Sequence, residues 1–366
     1  MEKIIYTTKN SQQNPQPIGG GFVSIRAFAK INLFLDIAGI RSDGYHNIVS
    51  VMQPLSFGDD IEIRCWKYFL GSIDNIERKD QINLSIYMPK RDDGHLYSNY
   101  DSLSFTKVKT IGNLENSQLD NLPNDDRNLI VKAAKFMVKE YNIKHPLHIR
   151  LNKCIPMGAG LGGGSADCAA TLCSINTLFN LGLSVQEIMD IGKTFGADVP
   201  FCVYALLSNK SKIAKIEGIG EKITSLPNDT RFMKNTNNRK YKEIDIKDCY
   251  VLLICPPIHV STVEAYRLLD EHMADKKTQK SASNRYREYV KHGYYSNLYN
   301  AFTETIAKKH PYIKTLIEKM LEDGALSASM TGSGSAVFGL FENFCDAQKA
   351  SINFPNDFCV ITTLKF

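Results

Sequence analysis

The sequence lacks a long hydrophobic run. Its most apolar stretch, residues 250–260, is shorter than the ~18 residues that a membrane-spanning helix needs, and Pro256 and Pro257 interrupt it. Residues 1–20 are polar and contain no apolar core of a secretory signal. We therefore predict a cytoplasmic protein that does not enter a membrane, with residues 1–21 as a flexible N-terminal arm.

Paired cysteines are also lacking. None of the nine cysteines forms a C-x-x-C pair, and an odd number cannot all be joined within one chain. His145 and His148 have no third ligand nearby in the sequence, so we predict neither a zinc site nor a disulfide framework. Reduced, mostly buried thiols are the expected state.

The sequence has no large excess of charge of either sign. The 44 basic and 39 acidic residues give a net charge of +5. This mild excess suits anionic small molecules, but it is far below the dense basic stripe that is typical of nucleic-acid binding. With 43% hydrophobic residues among 366, the chain is typical of globular proteins, and its length favours two domains.

The clearest strand pattern lies near the N-terminus. Apolar and polar side chains alternate over residues 24–37, which predicts a half-buried strand. Lys30 and Asn32 lie on its polar side, where such residues are usually solvated.

Strand and helix signals are mixed along the rest of the chain. Asp43-Gly44 predicts a hairpin turn before strands at 48–55 and 60–64, and Ser184 opens a capping box before a helix. This mixture predicts an α+β fold rather than a doubly wound parallel sheet. Three polar segments, of which we expect the last to be mobile, have the character of insertions: 67–127, 227–248 and 272–293.

A glycine cluster is the strongest chemical signal. Five of the seven residues at 158–164 are glycine, although glycine makes up only 24 of 366 residues overall. Without Cβ atoms, backbone N–H groups in such a loop can approach a ligand closely, and the loop leads into a helix whose N-terminus favours anions. We predict that it binds a triphosphate, because a tight strand-to-helix turn would need only one or two glycines.

Other phosphate-binding patterns fit this cluster poorly. Gly158, Gly160 and Gly163 satisfy G-x-G-x-x-G, but a helix is predicted where a dinucleotide fold needs a second strand ending in an acid. No lysine follows the cluster as a Walker A loop requires, and the H-R-D and D-F-G signatures of protein kinases are absent from the sequence.

Three further motifs have both a functional and a structural interpretation. Asp198 precedes a proline after a helix-ending glycine, and a helix N-cap is the more typical role for it. The small-residue loop at 330–335 is equally typical of a hairpin turn. In the turn at 41–46, Tyr45 and His46 could stack on and hydrogen-bond a base, or could be ordinary loop residues.

The order of these motifs resembles that of the GHMP small-molecule kinase superfamily. The motifs are, in sequence, Ala-Lys-Ile-Asn-Leu at 29–33, Asp-Gly-Tyr-His at 43–46, the glycine cluster, Gly-Ala-Asp-Val-Pro at 196–200, and the loop at 331–335. The resemblance covers most of residues 22–366. It implies a two-domain α+β fold with an ATP-binding N-terminal domain at 22–206, a C-terminal domain at 207–366, and the active site in the cleft between them.

The resemblance also implies ATP- and Mg²⁺-dependent phosphorylation of an alcohol whose molecule carries a cytidine diphosphate group. Lys30 and Asp198 would be the catalytic pair, and Ser165 would lie near Mg²⁺. The residues implied at the nucleotide are Asn128, Lys153, Pro156, Met157, Gly158, Ala159, Gly160, Leu161, Gly162, Gly163, Gly164, Ser165 and Ala166. The residues implied at the substrate are Asn32, Tyr45, His46, Thr331, Gly332, Ser333 and Gly334.

Two alternatives stay open. A sister kinase acting on homoserine, mevalonate or a sugar would share the glycine loops, but it would have no use for a base-stacking Tyr45. A non-catalytic binding module on the same fold, for instance one that binds RNA, would not need both Lys30 and Asp198. The expected partner is a small molecule rather than nucleic acid or membrane, and the expected state is a monomer or weak homodimer.

Overall fold

The computed structural model describes residues 21–65, 82–87, 109–111, 123, 125–236, 240–275 and 281–366. Its strands are β1 (Phe22–Ile40), β2 (His46–Cys65), β3 (Ile82–Tyr87), β4 (Lys109–Ile111), β5 (Leu147–Asn152), β6 (Ala214–Gly218), β7 (Lys222–Ser225), β8 (Arg231–Thr236), β9 (Lys240–Asp245), β10 (Tyr250–Cys255), β11 (Tyr299–Asn300), β12 (Ser327–Met330), β13 (Val337–Phe341) and β14 (Phe358–Thr362). Its helices are α1 (Leu129–Glu140), α2 (Gly163–Leu178), α3 (Val185–Lys193), α4 (Val199–Leu207), α5 (Thr262–Asp275), α6 (Ala282–Lys291), α7 (Thr303–Lys309), α8 (Tyr312–Glu322) and α9 (Phe344–Ser351).

Two sheets organise these elements, the first mixed and the second antiparallel. The first has the order β11-β1-β2-β5-β3, and β6 extends it from β2, with β7 beside β6. The second has the order β12-β13-β10-β14-β4, and β8 and β9 form a separate hairpin. Among the described strands only β1–β11 and β3–β5 pair in parallel. The predicted α+β fold is therefore confirmed.

β1 is buried more completely than its alternating pattern predicts. Its apolar face enters the core, with Ala27, Ala29 and Ile31 fully buried. Its polar face is buried too, since Lys30 and Asn32 are 3% and 1% exposed. The expectation that these two side chains are solvated is wrong, because the glycine loop before α2 and the loop between β12 and β13 cover that face.

Several local predictions need correction. The strands expected at 48–55 and 60–64 are one strand, because β2 pairs antiparallel with β1 from His46 to Arg64. The segment 272–293, expected as a mobile insertion, contains the last residues of α5 and the whole of α6. Helix α6 packs Ala282 and Tyr289 into the core, which explains its order despite its charge.

The other two polar segments differ in how much of them is described. The segment 227–248 contains the β8–β9 hairpin. Most of 67–127, and residues 1–20 of the predicted arm, lie outside the described residues. No helix in the described part of the chain is both long and apolar enough to span a membrane.

The first sheet continues past the predicted domain boundary at residue 206. Strand β6 pairs with β2 and strand β7 with β6, so the sheet includes residues up to Ser225. Strand β11, from much later in the chain, pairs with β1 through Phe34 and Leu35. The division at 206/207 stays a prediction, but it does not coincide with the end of this sheet.

Candidate active site

The two residues predicted as a catalytic pair lie together. Lys30 Nζ is 3.5 Å from Asp198 Oδ2, and the two side chains are 4% and 29% exposed. The lysine is thus buried while the carboxylate reaches the surface of the site. Asp198 therefore presents a carboxylate oxygen, a possible proton acceptor, next to the Lys30 ammonium.

Asp198 occupies the N-cap position of α4 without capping the helix. Its side chain makes no hydrogen bond to the helix, and Pro200 in the first turn lacks the N–H that a cap would otherwise satisfy. The N-cap interpretation favoured by the local sequence is therefore right about position but wrong about the side chain. That carboxylate is left to face Lys30.

Asn32 fixes the end of the Lys30 side chain. Its Oδ1 accepts from Lys30 Nζ (2.9 Å), Thr331 Oγ1 (3.2 Å) and the Gly332 N–H (3.0 Å). Its Nδ2 donates to Ser50 Oγ at 2.8 Å. That Asn32 contacts the substrate stays a prediction; the contacts observed here orient Lys30.

The glycine loop turns its carbonyl groups inward. Gly160 O accepts from Lys30 Nζ at 2.9 Å, and Leu161 O accepts from the Lys30 N–H at 3.0 Å. Ala159 O accepts from the Ala336 N–H at 3.1 Å. These bonds hold the loop against β1 and against the loop after β12, while the first-turn N–H groups of α2 have no acceptor within the helix.

The residues of the loop are divided between the core and the surface. Ala159, Leu161 and Ala166 are buried in the core, as is Pro156. The remaining predicted nucleotide contacts of the loop are half-buried or exposed: Met157, Gly158, Gly160, Gly162, Gly163, Gly164 and Ser165. The apolar residues therefore anchor a glycine-lined surface.

Close packing makes glycine necessary at two points of this loop. Gly160 has φ +78°, and a Cβ there would lie 2.4 Å from the carbonyl oxygen of Thr331. Gly162 has φ +72°, and a Cβ there would lie 3.1 Å from Lys30 Cγ and 3.7 Å from Asp198 Oδ2. Such positive φ angles also strain any residue with a Cβ. The loop can approach Lys30, Asp198 and the Thr331 carbonyl this closely only because these two positions carry no side chain.

Lys153, predicted near the nucleotide, lies beneath the loop in a buried charge cluster. Its Nζ donates to Asp59 Oδ2 and, at 3.0 Å, to Asp167 Oδ2. Burial alone would lower the pKa of Lys153, but the two carboxylates raise it above its usual value. Asp59 Oδ1 also accepts from the N–H groups of Cys154 (2.5 Å) and Ile155 (2.7 Å). The lysine thus joins β2 and β5 to α2.

Asp167 has the least favourable electrostatic environment of this cluster. Burial, reinforced by the nearby Asp59, raises the pKa of Asp167 well above its usual value, although Lys153 opposes the shift. Its Oδ1 has no hydrogen-bond partner among the described residues. The bond between its Oδ2 and the Lys153 ammonium, at 3.0 Å, is the contact that opposes the cost of burying this side chain.

Asn128 and Ser165 flank the loop in different ways. Asn128 caps α1, accepting from the Ile130 N–H at 2.9 Å and donating to Pro123 O at 2.7 Å. Ser165 lies in the first turn of α2 and is half-exposed. Its Oγ is 3.8 Å from the point where a Cβ atom on Gly196 would lie. Its hydroxyl therefore faces the corner that leads to Asp198.

The loop after β12 lies between the glycine loop and β1. Thr331, Gly332 and Gly334 are buried, whereas Ser333 is half-exposed. The Ser333 hydroxyl is 3.4 Å from that of Thr262, at the start of α5. Of the four residues predicted to touch the substrate here, Ser333 is the one that offers a side chain at the surface.

His46 joins the hairpin of the first sheet to α5. Its Nε2 is 2.8 Å from Asp270 Oδ1, and its ring stacks on Tyr266 with the ring centroids 4.5 Å apart. Tyr45 is 64% exposed at the tip of the same hairpin. Burial, followed by the carboxylates of Asp198 and Asp270, raises the pKa of Tyr266 to about 12. The Tyr266 ring therefore borders the Asp198 carboxylate.

Sequence reasoning missed Tyr266 and Asp270 at this site. It also missed Asn300, whose side chain donates to the carbonyl oxygens of Met330 and Gly332. Tyr266 and Asp270 lie within an ordinary amphipathic helix pattern, and the two-residue strand that holds Asn300 has too few residues to show a period. An aromatic and an acid four positions apart on one helix face is the one signal that was available. It is too common to indicate a site alone.

The geometry can support transfer of a phosphate to a hydroxyl group. It combines a proton-accepting carboxylate, an adjacent ammonium, a glycine loop at a helix N-terminus, and an aromatic surface beside them. Within the described residues, no group of three or more histidine, cysteine, aspartate or glutamate side chains could hold a metal by itself.

Comparison with known proteins gives consistent matches. The family models described as "GHMP kinases N terminal domain" and "GHMP kinases C terminal" match residues 128–205 and 289–356. The 4-diphosphocytidyl-2-C-methyl-D-erythritol kinase of Clostridium novyi is 32% identical over 329 residues, which cover 88% of this chain and 92% of the relative.

Solved structures extend the fold comparison. A crystal structure of 4-(cytidine 5'-diphospho)-2C-methyl-D-erythritol kinase matches with a TM-score of 0.60 at 21% identity, covering 93% of this chain and 99% of that one. The mevalonate kinase of L. major, crystallised with R-mevalonate, matches with a TM-score of 0.57 at 12% identity over 96% and 99% of the two chains. At these identities the likeness shows the fold alone.

Proposed function

The chain belongs to the 4-diphosphocytidyl-2-C-methyl-D-erythritol kinases of the GHMP kinase superfamily, and on this premise we propose how its residues perform the reaction. The enzyme transfers the γ-phosphate of ATP to the 2-hydroxyl of 4-diphosphocytidyl-2-C-methyl-D-erythritol. The product is the 2-phosphate, an intermediate of the non-mevalonate (methylerythritol phosphate) route to isoprenoid precursors.

Asp198 acts as the general base. Its carboxylate accepts the proton of the substrate 2-hydroxyl as the oxygen attacks the γ-phosphorus, and the bond from phosphorus to the β,γ-bridging oxygen breaks, leaving ADP. Lys30 stabilises negative charge on the attacking oxygen. The observation that carries this assignment is the 3.5 Å contact between Lys30 and a carboxylate that its own helix does not use.

The glycine loop binds the ATP phosphates. Phosphoryl transfer needs mainly positioning and neutralisation of charge on the phosphate oxygens, and N–H groups at a helix N-terminus supply both. Mg²⁺ fits beside Ser165, whose half-exposed hydroxyl faces the corner before Asp198. When bound, Mg²⁺ would neutralise phosphate charge. Lys153 supports the ATP site from beneath the glycine loop, and Asn128 supports it from the start of α1.

The cytidine end of the substrate binds across the hairpin and α5. Tyr45 and Tyr266 offer aromatic faces for the base, and His46, oriented by Asp270, can hydrogen-bond the base edge. Ser333 in the loop after β12 lies within reach of the acceptor end. A homoserine or mevalonate kinase would have no base to bind at this surface, so these residues favour the cytidyl substrate.

A coupled ATP assay tests this proposal. We expect turnover with the cytidyl diphosphate substrate and none above background with homoserine or mevalonate. Asp198→Asn should reduce kcat about 10²–10⁴-fold, the usual contribution of a general base. Asp60→Asn is a matched control, since Asp60 pairs with Arg26 at 2.8 Å away from the catalytic contacts. Near-normal turnover of Asp198→Asn would refute the base assignment.

The companion variant Lys30→Ala tests the other half of the pair. Its kcat should fall while its KM for ATP changes little, because the ammonium acts on the attacking oxygen. A change confined to ATP affinity would remove Lys30 from the pair. If no alcohol substrate is phosphorylated but RNA is retained in a salt-dependent manner, the site is a binding module.

A further inference from the structure

Asn300 makes contacts that the reaction described above does not account for. It is 5% exposed and lies in β11, which pairs with β1 in register Leu35 to Asn300. The next residue, Ala301, donates its N–H to Leu35 O at 2.9 Å. The backbone at Asn300 is therefore anchored on the strand that carries Lys30.

The Asn300 side chain holds the loop after β12 by its carbonyl groups. Its Nδ2 donates to Met330 O and to Gly332 O, both at 2.9 Å. Its Oδ1 accepts from the Phe302 N–H at 3.0 Å. Both N–H groups of the amide are thus used on one loop, and an apolar residue here would remove both donors from these buried carbonyls, of which Met330 O keeps only the Ser329 hydroxyl at 3.2 Å among the described contacts.

Gly332 is held from both sides by two asparagines. Asn300 binds its carbonyl oxygen, and Asn32 Oδ1 accepts from its N–H at 3.0 Å. The same Oδ1 accepts from Lys30 Nζ at 2.9 Å. A continuous chain of hydrogen bonds therefore runs from Asn300 through Gly332 and Asn32 to the catalytic ammonium.

We infer that Asn300 is a positioning residue for phosphoryl transfer, which fixes the Gly332 peptide and through it the orientation of Asn32 and Lys30. Without its two N–H donors the loop loses its attachment to β11, and Asn32 Oδ1 loses one of the donors that fix its rotamer. Misplacement of catalytic groups by about 1 Å can cost roughly 10²-fold in rate. This inference rests on the proposed function of Lys30 and Asp198.

The test compares Asn300→Ala with a matched loss elsewhere. Asn176→Ala is the control, because Asn176 also bonds backbone groups of a loop, accepting from the Leu183 N–H at 3.0 Å and donating to Leu183 O at 3.3 Å. We expect Asn300→Ala to lower kcat about tenfold or more, with KM for both substrates within about threefold. The control should keep kcat per folded protein.

A second readout does not depend on activity. Hydrogen exchange measured by mass spectrometry on the peptide that contains Gly332 should become faster in Asn300→Ala and stay unchanged in Asn176→Ala. If Asn300→Ala does not fold, Asn300→Asp decides, since a carboxylate keeps the acceptor for the Phe302 N–H while replacing the amide donors.

The outcomes separate the inference from the proposed function. A normal kcat per folded protein, or unchanged exchange at Gly332, would overturn the positioning role. A wild-type protein that phosphorylates no cytidyl substrate would overturn the proposed function instead, and the exchange measurement would still report whether Asn300 fixes the loop.

Discussion

Replacing Lys153 by methionine removes the ammonium between two buried carboxylates. Lys153 is 3% exposed, and both of its partners, Asp59 and Asp167, are buried as well. Methionine fills much of the same volume, so the change is mainly one of charge. The variant therefore isolates what the ion pairs under the glycine loop contribute to the free energy of unfolding.

The expected cost follows from what each carboxylate keeps. Removing one partner of a buried ion pair typically costs about 3–5 kcal/mol. Asp59 retains two backbone N–H bonds, which offset part of its loss. Asp167 retains none in the described structure, because its Oδ1 has no partner and its Oδ2 bonds Lys153. We expect Lys153→Met to cost about 3 kcal/mol at neutral pH.

Urea unfolding at two pH values tests this figure. Lowering the pH should recover part of the loss, because protonation of Asp167 removes one of the two facing charges. Lys135→Met serves as the control, since Lys135 pairs with Asp126 on the surface, where an ion pair contributes about 0–1 kcal/mol. A loss below about 1 kcal/mol, or one that does not change with pH, would refute the reasoning.

Three further predictions concern the same region. Burial raises the pKa of Asp167 in the folded protein, so the unfolded chain loses this proton at a lower pH than the folded one does. The free energy of unfolding should therefore fall as pH rises above the usual aspartate range. Asp167→Asn should flatten that decline, measured by urea unfolding at a series of pH values. Gly160→Ala should abolish most ATP turnover because its Cβ would meet the Thr331 carbonyl, whereas Gly182→Ala, equally strained at φ +73° but with open space, should keep it. Substituting Ala for His46 should raise KM for the cytidyl substrate about tenfold and leave KM for ATP unchanged in steady-state kinetics; equal changes in both would contradict its assignment to the base.

Local patterns predicted the elements whose signals are themselves local. The capping box at Ser184 forms as predicted, with Glu187 bonded back to the Ser184 N–H. The strand predicted at 24–37 and the hairpin turn predicted at Asp43-Gly44 also form, as β1 and its connection to the antiparallel β2. In each of these, neighbouring residues determine the conformation, so the period or the cap is sufficient.

The parts that were missed depend on contacts between distant residues. Lys153 meets Asp59, which lies 94 positions earlier, and no local pattern links them. Asp198 has the local signature of a helix cap, yet tertiary contact with Lys30 determines where its side chain points. The motif order brought Lys30 and Asp198 together in the prediction, but motif order carries no information about which partners orient them.

The pairing of β11 with β1 has a consequence for how the protein can be divided. The first sheet takes strands from residues 22–65, 82–87 and 147–152, and also from 214–225 and 299–300. A break at residue 206 would therefore leave β1 and β2 with unsatisfied edges. Conversely, the later fragment would carry strands whose partners are missing. Neither piece forms a closed unit alone, so the polypeptide should melt as one cooperative body, and separately expressed halves should regain structure only when mixed.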